Sequence, residues 1–275
     1  MARGPEVAKF LRHIQACRNA CLPGERLGFW LAGRQVGYMQ KAFAAKLAAI
    51  SADITVTGRV TLAERATASL NSLAAQAGCR MRGEDFDVRE SADGPVLGVL
   101  DRGALPDFGV IGLGVHVNGL VRRTDGMHLW VGKRAADKKL DPNKLDNLVG
   151  GGVSAGHTPF ETLIKEAGEE AMLPPGLAAT AMPAGRIAYD MERPEGLRRD
   201  VLFLYDLFLP EDFVPRPQDG EVEHFELWPL SLVFERVRDT DDFKFNVNLV
   251  LIDLFLRLGL IQGEEAALLR QALEG

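Results

Sequence analysis

Apolar residues recur at helical spacing from the start of the chain: Val7, Phe10, Leu11, Ile14 and Cys17 share one face of a helix predicted over residues 5–21. The period then changes. Phe29-Trp30-Leu31 and Val36-Gly37-Tyr38-Met39 read as a hairpin turning around Gly33. A helix is expected over 40–50, a strand over 54–62, helical structure over 63–78 and a strand at 96–100. Near Gly109 the rhythm shifts again. Residues 110–121 (VIGLGVHVNGLV) and 128–134 (HLWVGKR) read as adjacent strands, and a turn-rich stretch leads to Gly150-Gly151-Gly152. A strong helix follows and stops at Pro174-Pro175-Gly176. Strands are predicted at 185–189, 201–209 and 223–230, and a last helical region from Asn246 onward. The pattern implies an α/β protein in two portions, an α+β portion over 1–107 and a larger one over 108–275. The first shows no catalytic constellation.

The chemistry is concentrated in the helix after the glycines. Thr158 suits the cap, Pro159 the first turn, and Glu161 completes a capping box. Phe160, Leu163, Ile164, Ala167 and Ala171 form the face expected to pack on a sheet. Glu166, Glu169 and Glu170, at i, i+3 and i+4, share a second face roughly 120° away. Like charges so placed repel by a few tenths of a kcal/mol per pair, roughly. Clustered carboxylates are what hard cations such as Mg²⁺ bind. Taken alone, the glutamates would read as a solvated face. The triple glycine tips the balance, because it lets the backbone turn sharply before the helix, approach a ligand closely and offer a carbonyl as a further ligand.

This segment resembles the Nudix signature, G-x5-E-x7-R-E-U-x-E-E-x-G-U with U a bulky apolar residue. Aligning the paired glutamates on Glu169 and Glu170 places the first glycine at Gly151, the helix glutamate at Glu166 and the final apolar position at Leu173. Four positions depart. His157 stands where the first glutamate belongs, Lys165 replaces the arginine, Ala167 is small, and Met172 replaces the second glycine. Further runs, at 114–119, 145–147, 205–210, 219–230 and 243–259, resemble a Nudix subgroup with an extra N-terminal domain. That subgroup includes proteins similar to the Nudix half of fungal thiamine pyrophosphokinase-like chains.

The resemblance implies a Nudix α/β/α sandwich with a mixed sheet, preceded by the smaller α+β domain. It implies Mg²⁺ (Mn²⁺ in substitution) held by Glu166, Glu169, Glu170 and the Gly151 carbonyl, with Glu166, Glu169 and a loop carboxylate in catalysis. Glu221 is that loop candidate, and Glu223 stands beside it as a substrate contact. Arg134 and Lys138 are expected to grip the diphosphate. The implied reaction is hydrolysis of a diphosphate bond in a small metabolite, thiamine diphosphate or its oxidised or damaged analogues giving the monophosphate. ADP-ribose, a dinucleotide or coenzyme A is the alternative substrate, and a silent metabolite-binding regulator is the non-enzymatic alternative. In that family the arginine and first glutamate steady the helix; a lysine keeps the charge but loses the planar fork. His116 and Asn118 alternate with Val115 and Val117, which reads best as a satisfied structural pair. Lys244, Asn246 and Asn248 stand where they would cap the last helix.

Bulk properties narrow the partners. A net charge of −6 argues against nucleic acid, whose phosphates reward basic surfaces, but a metal can offset it for a small anionic substrate. Three cysteines without a CxxC pair argue against a disulfide framework or structural zinc and point to a reduced, cytoplasmic setting. No apolar run of ~18 residues exists to span a bilayer, and the N-terminus lacks a signal-peptide core. The final helix, 264–274, suits either a homodimer contact or core packing.

Overall fold

The computed structural model describes residues 5–138, 140–218 and 220–274. Helix α1 (Pro5–Cys17) precedes a hairpin of β1 (Leu27–Leu31) and β2 (Arg34–Met39), then α2 (Lys41–Ile50). The strand expected over 54–62 is instead two short ones, β3 (Ile54–Val56) and β4 (Val60–Leu62). Gly58, at φ +74°, makes the turn between them. The helical stretch beyond is a 3₁₀ turn (Glu64–Ser69) leading into α3 (Leu70–Gln76). Next come β5 (Asp85–Val88), which has no apolar alternation beyond Phe86 and Val88, and β6 (Gly98–Asp101), its antiparallel partner. A short helix, α4 (Leu105–Phe108), closes this portion with Gly109 in the left-handed region.

The larger portion is a seven-stranded mixed sheet. Its long strands are β7 (Ile111–Arg123), β8 (Gly126–Arg134), β11 (Met182–Arg193), β12 (Gly196–Phe208) and β13 (Val222–Pro229), in the order β11-β12-β7-β8-β13. Between them in sequence lie β9 (Leu145–Asp146), paired with β8, and β10 (Val149–Gly152), paired with β7. Only the β12–β7 pair of these is parallel. On one face sit α5 (Pro159–Ala171) and α6 (Pro175–Ala178), whose Leu163, Ala167, Ala171 and Ala178 pack on Val115, Val117 and Leu207. On the other sit α7 (Leu230–Asp239), α8 (Val247–Arg257) and α9 (Gly263–Glu274). The result is an α/β/α sandwich behind an α+β portion, as the sequence implied.

Helix α1 belongs to the second core rather than the first. Val7, Phe10, Leu11 and Ile14 pack with α7, α8 and α9, and Phe10 meets Phe234 at 5.1 Å between ring centroids. The two portions therefore interlock through the first helix. Helix α9 turns Ala266, Leu269 and Leu273 into the same core, so its apolar face is covered within the chain. Sequence reading passed over α7, although Leu230, Val233, Phe234 and Val237 carry the i, i+3, i+4, i+7 spacing that marks it. Among the described residues no helix is long and apolar enough to cross a membrane.

Candidate active site

The capping box forms as the sequence required. Thr158 Oγ1 accepts the Glu161 amide (3.2 Å), and the Glu161 carboxylate accepts the Thr158 amide (2.8 Å). Such a cap contributes about 1 kcal/mol and fixes where α5 begins. The packed face is rotated from the expected one. Phe160 remains 37% exposed, whereas Glu170 is buried at 6% alongside Leu163, Ala167 and Ala171. The three glutamates are thus inequivalent: Glu170 lies inside, Glu166 is mostly covered, and Glu169 is half exposed.

The glycines do not turn the chain. Gly150, Gly151 and Gly152 are extended in β10, opposite His116, Val115 and Gly114 of β7, and the left-handed turn comes at Gly156, φ +79°. Their smallness serves close approach. A Cβ on Gly151 would lie 2.6 Å from Cγ and Cδ of Glu166, and one on Gly152 would lie 2.5 Å from the Phe86 ring. The Gly150 amide donates to Glu170 Oε2 at 2.9 Å. Strand β10 and helix α5 therefore meet at two carboxylates, one lying along Gly151 and one bonded to Gly150.

Burial governs the electrostatics. It pushes the Glu170 carboxyl well above its ordinary range; the Gly150 amide opposes this, and Asp146, Glu166 and Glu221 add to it. Burial likewise raises Glu166, against the neighbouring Lys165 ammonium. Lys165 Nζ donates to Glu169 (2.8 Å) and Glu166 (3.2 Å), so its charge covers two of the three carboxylates. Among the described residues no three His, Cys, Asp or Glu side chains converge into a formed metal-binding group. The donor set nevertheless suits a hard divalent cation: carboxylate oxygens, a neighbouring backbone strand, and one buried acid with a single amide to offset its charge. A cation displacing Lys165 would have Glu166, Glu169, Glu170 and the Gly151 carbonyl within one turn of helix and one strand.

The other predicted residues fall into separate roles. Glu221 ion-pairs with Lys138 and acts on both Glu166 and Glu170, so the structure brings it to the helix carboxylates. Glu223 is exposed at the bulge where β13 pairs with β8, outside the buried cluster. Arg134 is engaged within the protein: Nη1 donates to Asp146 Oδ2 (2.7 Å), Nε to the Asp141 carbonyl and Nη2 to the Leu140 carbonyl. His157 is exposed, its ring 3.3 Å from the Ala155 carbonyl.

His116 and Asn118 are structural, in a chain with consistent polarity. His116 Nδ1 donates to Asn147 Oδ1 (2.9 Å), Asn147 to Asn118 Oδ1 (2.8 Å), and Asn118 to Asp206 Oδ1 (2.9 Å), which Arg257 also grips (3.1 Å). Burial first, then Lys244, lowers the His116 ring to about 4, so it is neutral at ordinary pH. Lys244, Asn246 and Asn248 do not cap α8. Lys244 Nζ approaches Asp146 (3.5 Å), Asn248 donates to the Phe243 and Lys244 carbonyls, and Asn246 occupies the cap position without a side-chain cap bond. Sequence reading missed Asp146 as a charged centre. Burial alone would raise its carboxyl, but Lys244, Arg134 and His116 hold it low.

The chain is similar to known proteins. The NUDIX domain family matches residues 112–247. Nudix hydrolase 20, chloroplastic, of Arabidopsis thaliana is 37% identical, the alignment covering 96% of this chain and 76% of the relative. Nudix hydrolase 24, chloroplastic, of the same plant is 38% identical over 94% of this chain and 75% of its own length. Among solved structures, DR0079 from Deinococcus radiodurans superposes with a TM-score of 0.45 at 22% identity, covering 69% of this chain and 99% of that one.

Proposed function

The chain belongs to the Nudix hydrolase family, enzymes that cleave pyrophosphate bonds and generally use divalent metal ions, and from that premise we propose that it is a Mg²⁺-dependent hydrolase of a small diphosphate metabolite. The substrate class we assign is thiamine diphosphate or its oxidised or damaged analogues, hydrolysed to the monophosphate. This assignment rests on the subgroup resemblance of the runs at 114–119, 145–147, 205–210, 219–230 and 243–259. Mn²⁺ is the expected substitute metal.

One observation carries the chemistry: a buried carboxylate, Glu170, bonded to the glycine strand beside a second carboxylate, Glu166, that the glycine strand leaves room for. Glu166, Glu169, Glu170 and the Gly151 carbonyl would hold the metal. When bound, the metal neutralises diphosphate charge and makes water a better nucleophile. The protein's own part is positioning and proton transfer. Gly150 fixes the rotamer of Glu170, and Gly151 sets how far Glu166 extends. Glu221, tethered by Lys138 and facing the helix carboxylates, takes the proton from the attacking water at its carboxylate oxygen. One bridging P–O bond breaks, one P–O bond forms from water, and the product anion leaves.

The test is product release from thiamine diphosphate, its oxidised analogues, ADP-ribose and NADH, with and without Mg²⁺, for the wild type and Glu170→Gln. Turnover that needs Mg²⁺ and falls by about 10² or more in the variant supports the reading. Metal-independent turnover, or equal turnover in Glu170→Gln, rejects it. Preference for ADP-ribose over every thiamine compound rejects the substrate class while leaving the chemistry.

A further inference from the structure

Between the α+β portion and the sheet lies a cavity of about 420 Å³ that opens onto Gly150, Gly151 and Gly152. This volume is typical of small-metabolite sites. One wall comes from the sheet, including Arg198 of β12; the other comes from the α+β portion, with Arg80, Arg82, Phe86 and Arg102. Most cations around it already have a carboxylate. Arg102 pairs with Glu84 (2.8 Å) and Arg198 with Asp200 (2.6 Å). Arg80 and Arg82 do not: among the described residues neither guanidinium has a carboxylate within ion-pair distance.

The segment bearing these two arginines is anchored. Asp101, buried at 2%, accepts the amides of Arg82 (2.8 Å), Gly83 (2.7 Å) and Gly103 (2.7 Å). Gly103 also packs so tightly on this segment that a Cβ there would fall 1.8 Å from the Arg80 carbonyl oxygen. Holding like charges together costs free energy unless an anion joins them. Arg82 is an exposed residue, yet its guanidinium is pushed down by partial burial and then by Arg102, Arg80 and Arg198, against Glu195. Guanidiniums that lack their own anion, carried on a segment whose backbone a buried carboxylate fixes and facing cations of a second element, are a donor arrangement that recognises a phosphoryl group. Asn246 also lines the cavity, and its Oδ1 is buried without a donor.

We propose that Arg80 and Arg82, backed by Arg102 and Arg198, form an anion site that binds a phosphoryl group of the substrate, so that the α+β portion takes part in substrate recognition. The identity of the ligand rests on the hydrolase reading above; its charge does not. The cavity is lined by Gly150, Gly151 and Gly152 of β10, the strand against which Glu166 and Glu170 of α5 also lie. The α+β portion selects for anionic substrates, and the sheet and α5 cleave them.

The experiment uses the intact chain and inorganic pyrophosphate in EDTA, measured by calorimetry. Without metal the acidic cluster on α5 repels the probe, which leaves the arginines to bind it. The wild type is expected to bind one equivalent, and Arg80→Ala/Arg82→Ala to weaken binding about tenfold or more, with Arg80→Lys/Arg82→Lys intermediate. Thermal unfolding of each variant checks that the fold survives. In turnover, the double alanine variant should raise KM far more than it lowers kcat. No pyrophosphate binding by the wild type, or equal binding by wild type and double variant, overturns the proposal. Loss of pyrophosphate binding in a chain that hydrolyses nothing would keep the anion site and reject the hydrolase reading. Metal-dependent hydrolysis with KM unmoved by the double variant would do the reverse.

Discussion

Replacing Gly151 by alanine tests whether the position of Glu166 matters, because the added methyl group strikes that side chain. It would sit 2.6 Å from Cγ and Cδ and 2.9 Å from Oε2 of Glu166. Carbon atoms settle at about 3.5 Å or beyond, so the carboxyl must retreat by about 0.9 Å. Glu166 is a flexible side chain, so the cost to stability should stay below about 1 kcal/mol, in the range of an off-rotamer adjustment. The cost to catalysis should be much larger. A displacement near 1 Å at the reacting centre lowers rate by about 10²-fold, or about 2.7 kcal/mol of barrier. The assay pairs steady-state kinetics over a Mg²⁺ titration with thermal unfolding in EDTA. A matched control is Gly168→Ala inside α5, where an added methyl meets nothing within 4 Å. That control should keep its activity and gain up to about 1 kcal/mol of stability. If Gly151→Ala retains full activity, Glu166 is not placed by the glycine strand for catalysis. If it loses activity only by unfolding, the loss says nothing specific about Glu166 and the geometric argument fails.

Three further outcomes follow from the packing and the buried charges. The His116 ring, lowered to about 4 from 6.5, is neutral in the folded chain, so the unfolded chain binds the extra proton first. Its contribution to stability is complete above 6.5 and is lost as pH falls through 6.5 towards 4, at about 1.4 kcal/mol per pH unit; His116→Asn should flatten that part of the unfolding-versus-pH curve, and an unchanged slope would refute the assignment. Phe10→Ala removes a ring that packs tilted on Phe234 and edge-on to Phe255, so it should cost about 3–5 kcal/mol and lower the denaturation midpoint of the sheet portion. A cost under about 1 kcal/mol would mean that α1 is peripheral. Lys165→Met leaves Glu166 and Glu169 without their shared cation, so the Mg²⁺-induced rise in Tm should grow relative to the wild type; a smaller rise would show that Lys165 helps hold the metal site rather than standing in for the metal.

How much of this was legible in the sequence depended on how local the cause was. The capping box, the breaker after α5 and the long strands β7 and β8 are set by neighbouring residues, so they read directly. The extent of β11 and β12 was underestimated because their ends are largely polar and held by strand pairing, with each other and with β7. Strand β5 escaped for the same reason. The orientation of α5 required knowing what lies across from it. Phe160 looks like core on a helical wheel, but β10 offers an amide to Glu170, and the helix turns to use it. Arg134 looked free to meet a substrate because Asp146, twelve residues on, gave no sign of facing it. The triple glycine leaves space beside Glu166 and Phe86 and does not make the turn that the sequence suggested.

The same contrast explains how the helix tolerates His157 and Lys165. In the Nudix signature an arginine and an acidic residue at these positions tie the preceding loop to the helix. Here Lys165 turns towards Glu166 and Glu169, and His157 faces solvent, so that tie is missing. The loop is secured from the other side. The Ala155 amide donates to the Asp85 carbonyl (2.7 Å), Ser154 donates to Glu84 (3.2 Å), and Phe86 lies against Gly152. All three partners come from β5 or the residue before it, in the α+β portion. A hydrogen bond of this kind contributes about 1 kcal/mol, and the buried Phe86 ring contributes more. Those contacts hold the loop between β10 and α5, which sets where the helix carboxylates stand relative to the glycine strand. The α+β portion is therefore part of the architecture of the site itself. Its removal should displace Glu166 and Glu170 even where the signature residues are untouched.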